Sequence, residues 1–235
     1  MSMKDQLLIT IDGPAGSGKS TLSRLLARRL SYLYLDTGAL YRTFAYAVLQ
    51  HGISPRDEAA VSRLCSTVKI SFQMSGGELR IILDGRDVTD HVRAEEVGIA
   101  ASIVSAYPAV RKELLPLQRD IGVSGGVVAE GRDMGTVVFP GADIKFYIDA
   151  SPRERAGRRY RQLLGQGVDA DFEEIMKWLE IRDRQDTQRD LAPLKPAKDA
   201  HILDTTDMEA ADVVEVMLRI VTAHREKIKA SRTVN

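Results

Sequence analysis

The sequence predicts an α/β fold: a five-stranded parallel sheet flanked by helices, with a small antiparallel β insert and a helical lid. Three observations carry this. Five short apolar runs, LLITI (7–11), YLYL (32–35), VVA (127–129), IKFYI (144–148) and HILD (201–204), are separated by longer stretches with helical periodicity. Residues 68–91 break that rhythm with two-residue alternation, and residues 151–161 form an arginine-rich helical segment after the fourth run. At 235 residues the chain is expected to be one domain, with core segments 1–65, 92–150 and 171–235, an insert at about 66–91 and a lid at about 151–170.

The first run leads directly into DGPAGSGKST, residues 12–21. Gly13, Gly16, Gly18, Lys19 and Ser20 fit the pattern G-x-x-x-x-G-K-[ST], placed between a strand and a helix as a P-loop NTPase-type fold requires. Glycines let the backbone approach a phosphate closely, and the following helix N-terminus favours its charge. The expected nucleotide cradle is therefore Gly13, Pro14, Ala15, Gly16, Ser17, Gly18, Lys19, Ser20 and Thr21. Lys19 should reach the β- and γ-phosphates of ATP, and Ser20 should ligate Mg²⁺. Leu22, Leu25, Leu26 and Leu30 then define an apolar stripe for the helix that follows.

The second run ends at Asp36, equally readable as an outer carboxylate of the Mg²⁺ site and as the cap of the next helix. Cys65, in AAVSRLC, reads as a small buried thiol; one cysteine makes no intramolecular disulfide, which fits a reducing, cytoplasmic setting. In the insert, Val68, Ile70, Phe72 and Met74 alternate, SGGE supplies a turn, and LRIIL and DGRDV follow, giving a hairpin or three-stranded sheet.

The segment SPRERAGRRYR opens on a capping Ser151 and an early Pro152. It sets Arg155, Arg158 and Arg159 on one helical face. Like charges so placed repel unless an anion is present, which suggests a mobile lid over the ATP phosphates, with GQG (165–167) as its flexible edge and Arg155 and Arg159 facing phosphate. Val213, Met217, Ile220 and Val221 mark a closing helix.

Lys+Arg and Asp+Glu both total 33, so net charge gives no case for nucleic acid or an anionic membrane. No run approaches the ~20 apolar residues of a membrane span, MSMKDQ does not open a signal peptide, and no long heptad suggests an obligate partner, so a soluble monomer is expected. The four histidines are scattered without metal-ligand spacing, and Trp178 and Tyr160 should pack.

A switch GTPase would carry a guanine-reading N-K-x-D element, which is missing, so a small-molecule kinase leads. Sugar or shikimate hydroxyls need a carboxylate to take the proton. A nucleoside monophosphate, mostly dianionic at neutral pH, needs arginines instead. Arginines are what the sequence offers: Arg42, Arg111, Arg132, Arg182 and Arg189.

The combination IDGPAGSGKST, LDTGALYR, VVAEGRDMGTVVFPGADIKFYIDAS, ERAGRR and IRDRQDTQRDLAPLKPA closely resembles bacterial cytidylate kinases over essentially the whole chain. The resemblance implies transfer of the γ-phosphate of ATP to CMP or dCMP with Mg²⁺, in pyrimidine nucleotide metabolism. It implies that residues 66–91 are the monophosphate-binding insert. Thr37, Arg42, Arg132 and Arg189 are implied to hold the acceptor phosphate, Arg182 and Asp186 the pentose, and Ser102, Arg111 and Asp133 the cytosine edge. Lys19, Arg132, Arg159 and Arg189 are expected to carry catalysis. Glu130 stands where some members have Asp, and Thr37 where some have Ser.

The base assignment has its own chemical logic. Cytosine offers an amino donor beside the N3 acceptor, and uracil reverses both groups. A carboxylate and an arginine matched to cytosine would each face the wrong partner in uracil, at ~1–3 kcal/mol per buried unpaired group. Preference for CMP over UMP follows.

Overall fold

The computed structural model describes residues 6–75 and 78–233. The readings of the N-terminal MSMKD and of the two glycines of SGGE lie outside the described residues. In chain order the first half runs β1 (Leu8–Asp12), α1 (Lys19–Leu30), β2 (Leu33–Asp36), α2 (Thr37–Gln50), α3 (Glu58–Leu64), β3 (Ile70–Ser75), β4 (Glu78–Leu83) and β5 (Arg86–Asp87). The second half runs α4 (Glu95–Val104), α5 (Pro108–Gly122), β6 (Val127–Gly131), β7 (Ile144–Asp149), α6 (Pro152–Gly165), α7 (Phe172–Gln188), β8 (His201–Asp204) and α8 (Ala210–Thr233).

Five strands form one parallel sheet in the order β2-β6-β1-β7-β8, and β3-β4-β5 form a separate antiparallel sheet. The α/β class and the inserted sheet are thus as the sequence indicates. Register puts Asp12 beside Gly131 and Asp36 beside Glu130, so the carboxyl ends of three adjacent strands line up. Open parallel sheets bind ligands at that edge.

Both faces of the central strands β6, β1 and β7 are covered, which is why they read as apolar runs, while the edge strand β8 stays largely exposed. On one face Ile9, Ile11, Phe146 and Ile148 pack against Leu22 and Leu26 of α1 and Val213, Met217 and Val221 of α8. On the other, Leu35, Val127 and Ala129 meet Met134, Val138 and Phe139. Each buried Val, Leu, Ile, Phe or Met among them contributes ~1.5–3 kcal/mol of burial. Leu25 departs from the expected stripe and is 37% exposed; Ser23 and Ala27, both buried, let α1 sit close to the sheet on a face turned toward them.

The three-stranded sheet is too small to bury its own apolar face. Val68, Leu83 and Val88 share a cluster with Leu40, Phe44 and Val48 of α2, Val97 and Val104 of α4 and Leu114 of α5. The unit that packs around the insert therefore extends well beyond 66–91 and takes in α4 and α5. Cys65 is buried at the end of α3. Ala156 and Leu163 of α6 pack with Ile175 and Leu179 of α7 and with Ala15, so the start of α6 is anchored to the glycine-rich loop. Tyr160 stacks edge-on against Phe172 in the same cluster. Among the described residues no helix is long and apolar enough to cross a membrane.

Candidate active site

A cleft of about 980 Å³ opens at the carboxyl ends of β1, β2 and β6. The glycine-rich loop forms one wall. Gly18 caps α1 with a left-handed φ of 86°, a conformation that side chains with a Cβ resist. Ala15 through Thr21 line the cleft, whereas Gly13 and Pro14 are not part of its lining. Lys19 is buried, and its Nζ donates to the Pro14 carbonyl at 2.7 Å. Burial, followed by the charges of Arg132 and Arg182, pushes its ammonium well below the usual lysine range. A phosphate anion in the loop would reverse that bias.

The facing wall is the start of α2. Asp36 caps this helix by accepting from the Ala39 N–H at 3.0 Å, and it pairs with Arg42 at 2.7 Å. The Thr37 hydroxyl donates to the Glu130 carbonyl at 2.7 Å. Glu130 is buried at the end of β6, where Tyr34 donates to Oε1 while Oε2 has no partner. Burial and the nearby charge of Asp36 raise its carboxyl above the ordinary range.

Between the walls lie Arg132 and Asp133, directly after β6. Arg132 Nε donates to Asp186 Oδ2 of α7 at 2.8 Å. Burial works against the Asp186 carboxylate, but Arg132 and Arg182 outweigh it and hold the group below its usual range. Arg111 of α5 pairs with Asp133, and Arg189 Nη2 stands 3.9 Å from the same carboxylate. Ser102 of α4 donates to Gln185 Oε1 at 3.5 Å. Arg182 lies over the Trp178 ring at 4.9 Å, and burial followed by the charge of Arg132 lowers its guanidinium to about 10.

Thr37, Arg42, Ser102, Arg111, Arg132, Asp133, Arg182, Asp186 and Arg189 all line this one cleft with the glycine-rich loop. Arg42 Nε, Arg182 Nε and Arg189 Nη2 are buried without a hydrogen-bond acceptor. Buried donors are almost always satisfied in native proteins, so three orphans in a cleft mark a place for an anionic ligand.

Arg155 does not face the cleft. Its guanidinium donates to the Ala150 and Ala15 carbonyls at 3.0 and 3.1 Å and pairs with Asp183 at 2.7 Å, 6% exposed. The side chain therefore braces the glycine-rich loop from behind, correcting the expectation that it faces phosphate. Arg158 takes the inner position instead, donating to the Ser17 carbonyl and to Thr205 at 3.1 and 3.0 Å, and Arg159 lines the cleft beside it. Helical spacing put the three arginines on one face and could not say which was nearest the sheet.

A family model described as cytidylate kinase matches residues 9–223. The chain belongs to the cytidylate kinase family. A curated cytidylate kinase of Pasteurella multocida is 44% identical over 97% of this chain and 100% of its own length. The cytidylate kinase of Syntrophotalea carbinolica is 46% identical over 96% of both chains, and that of Pseudomonas aeruginosa 48% identical over 90% of this chain and 93% of its own. Among solved structures, a gluconokinase from Sinorhizobium meliloti aligns over 96% of this chain and 97% of its own with a TM-score of 0.51 at 13% identity, a likeness of fold alone. Within this cytidylate kinase fold, sequence reasoning passed over Asp12, and it placed Arg158 on the lid face without choosing it as a phosphate-facing residue. A charged residue closing an otherwise apolar strand was the available signal for Asp12.

Proposed function

We infer that the chain transfers the γ-phosphate of ATP to CMP or dCMP, giving ADP and CDP or dCDP. Its relatives' printed names and the single cleft that joins a phosphate loop to a cluster of arginines support this reading. The observation that carries it is the set of three orphaned guanidinium donors, Arg42 Nε, Arg182 Nε and Arg189 Nη2, beside Lys19 and Arg132. An acceptor phosphate there would satisfy them.

Phosphoryl transfer gives a protein little covalent work, so positioning and charge neutralisation dominate. Residues 15–21 hold the donor phosphates, with Lys19 supplying positive charge to the transferred group. Arg42, Arg132 and Arg189 with Thr37 orient the acceptor phosphate, while Arg182 and Asp186 hold the pentose. Arg111 donates to cytosine N3, and Asp133 and Ser102 accept from its amino group. Arg158 and Arg159 cover the donor side as part of a lid within the single domain.

Mg²⁺ suits the oxygens present. Ser20 opens into the cleft, Asp36 lines it, and Glu130 Oε2 is a buried carboxylate oxygen without a partner. Among the described residues no group of three or more His, Cys, Asp or Glu could hold a metal, which fits an ion held chiefly by phosphates and water. When bound, the ion would neutralise charge on the phosphates. We place the enzyme in the cytoplasm, in pyrimidine nucleotide metabolism.

The test is product identification by chromatography. ATP and CMP supplied together with Mg²⁺ should give ADP and CDP in equal amounts, and either nucleotide alone should give neither. ATP hydrolysis that is indifferent to CMP would refute the reading.

A further inference from the structure

The residues that read the acceptor sit on an unusual piece of backbone. After β6 the chain makes a single π-helical turn, Met134–Val138, in which the Phe139 N–H donates to the Met134 carbonyl at 2.7 Å. Such turns are rare and cluster at functional sites. Arg132 and Asp133 immediately precede it.

Both ends of this turn are clamped by charge. Asp12, the last residue of β1, accepts from the Met134 N–H on Oδ1 and from the Gly135 N–H on Oδ2, both at 2.8 Å. At the other end Arg119 of α5 donates from Nε to the Val138 carbonyl and from Nη2 to the Val137 carbonyl, both at 3.0 Å. An anion at the N-terminal N–H groups and a cation at the C-terminal carbonyls both favour the turn's dipole. The same helix α5 grips the turn's approach through Arg111 and Asp133. Packing leaves little play, because a Cβ on Gly131 would come 2.8 Å from Thr37 Oγ1 and 2.7 Å from Met134 Cε.

Asp12 is an odd choice for a purely structural bond. It is 4% exposed, and both its oxygens are spent on backbone N–H groups rather than on a basic side chain. Burying a carboxylate without an ion pair costs stability. What it joins is the strand that feeds the donor-phosphate loop and the turn that carries the acceptor-reading pair.

We propose that Asp12 and Arg119 are positioning residues, which hold the 131–139 turn between β1 and α5 and so fix where Arg132 and Asp133 meet the acceptor nucleotide. The inference rests on the reading of Asp133 as a cytosine contact. A shift of an ångström at such a contact costs up to ~100-fold in rate, so a loosened clamp registers first in acceptor selectivity.

The test compares Asp12→Asn and Arg119→Ala with wild type in steady-state rates with CMP and UMP, with thermal unfolding measured alongside. Asparagine has one acceptor oxygen for two N–H groups and turns its own donor toward the second. Arg119 is exposed and does not line the cleft, so its removal is expected to leave folding intact and decides the matter if Asp12→Asn does not fold. The expected result is a fall of about 10-fold in kcat/KM for CMP, a smaller fall for UMP, and a KM for ATP within about 2-fold of wild type. Folded variants that keep the wild-type CMP to UMP ratio, even at lower Tm, would overturn the positioning role. A wild type with no preference for CMP would overturn the base reading and the clamp with it.

Discussion

Arg111 of α5 donates from Nη2 to Asp133 Oδ2 in a buried pair, with the Arg189 guanidinium 3.9 Å from the other carboxylate oxygen. In the function proposed above, this pair supplies the donor and the acceptor that meet cytosine's N3 and amino group. Asp133→Asn replaces an acceptor-only group with one that also donates. Its kcat/KM for CMP should fall about 10- to 100-fold while that for UMP falls less, measured as a ratio on one preparation.

Arg111→Ala should behave differently from Asp133→Asn in stability. It strands a carboxylate that is 3% exposed, and breaking such a pair costs ~3–5 kcal/mol. Urea unfolding of the two variants, without nucleotide, checks this.

Lys19→Met should lower kcat by at least ~100-fold, because positive charge at the transferred phosphate acts chiefly in the transition state. The variant should not lose stability at pH 7. Burial pushes the Lys19 ammonium well below its usual range, so its folded form binds a proton less readily than its unfolded form. Stability linked to Lys19 rises with pH, so wild type should gain stability relative to the variant as pH increases above 7.

Arg155→Ala and Arg159→Ala separate bracing from substrate contact. Arg155 is buried against Asp183 and the Ala15 carbonyl, so its loss should cost ~2–4 kcal/mol in unfolding. Among the described residues Arg159 donates only to exposed Gln162 at 3.1 Å, and its loss should leave unfolding unchanged and reduce kcat. Parallel kinetic and urea measurements distinguish them.

Asp12 gives a pH signature. Burial is the main cause that pushes its carboxyl up to about 6, the charge of Asp133 adds to this, and the Gly135 and Met134 N–H groups and Lys19 partly offset it. A raised carboxyl pKa contributes stability that is complete below the unfolded value and is lost as pH rises through the folded one. Between pH 4 and pH 7 wild type should therefore lose roughly 2 kcal/mol relative to Asp12→Asn, read from unfolding free energies of both proteins at each pH.

The fold was largely legible because the central strands β6, β1 and β7 are buried on both faces and so read as apolar runs, while the edge strand β8 is mostly exposed and was marked by its place between helical stretches. LLITI, IKFYI and HILD overlap their strands almost residue for residue. The phosphate loop was legible because its glycines and lysine have one common use between a strand and a helix. The arginine-rich helix was only half legible: periodicity grouped Arg155, Arg158 and Arg159, but which of them pointed inward depended on how α6 packs against Ala15. What packs against the insert was hidden for a related reason, since three short strands borrow their core from α2, α4 and α5 across long sequence separations. Asp12 and Arg119 meet through the backbone of a third segment, and backbone groups leave no trace in side-chain spacing.

The most direct measurement is the initial rate of ADP formation from MgATP with CMP, dCMP, UMP, AMP and shikimate as acceptors. Rapid turnover with CMP and dCMP, a kcat/KM for UMP at least ~10-fold lower, and none with shikimate is the expected pattern. Equal rates with CMP and UMP would contradict the role given to Arg111 and Asp133, and turnover independent of any acceptor would contradict the kinase itself.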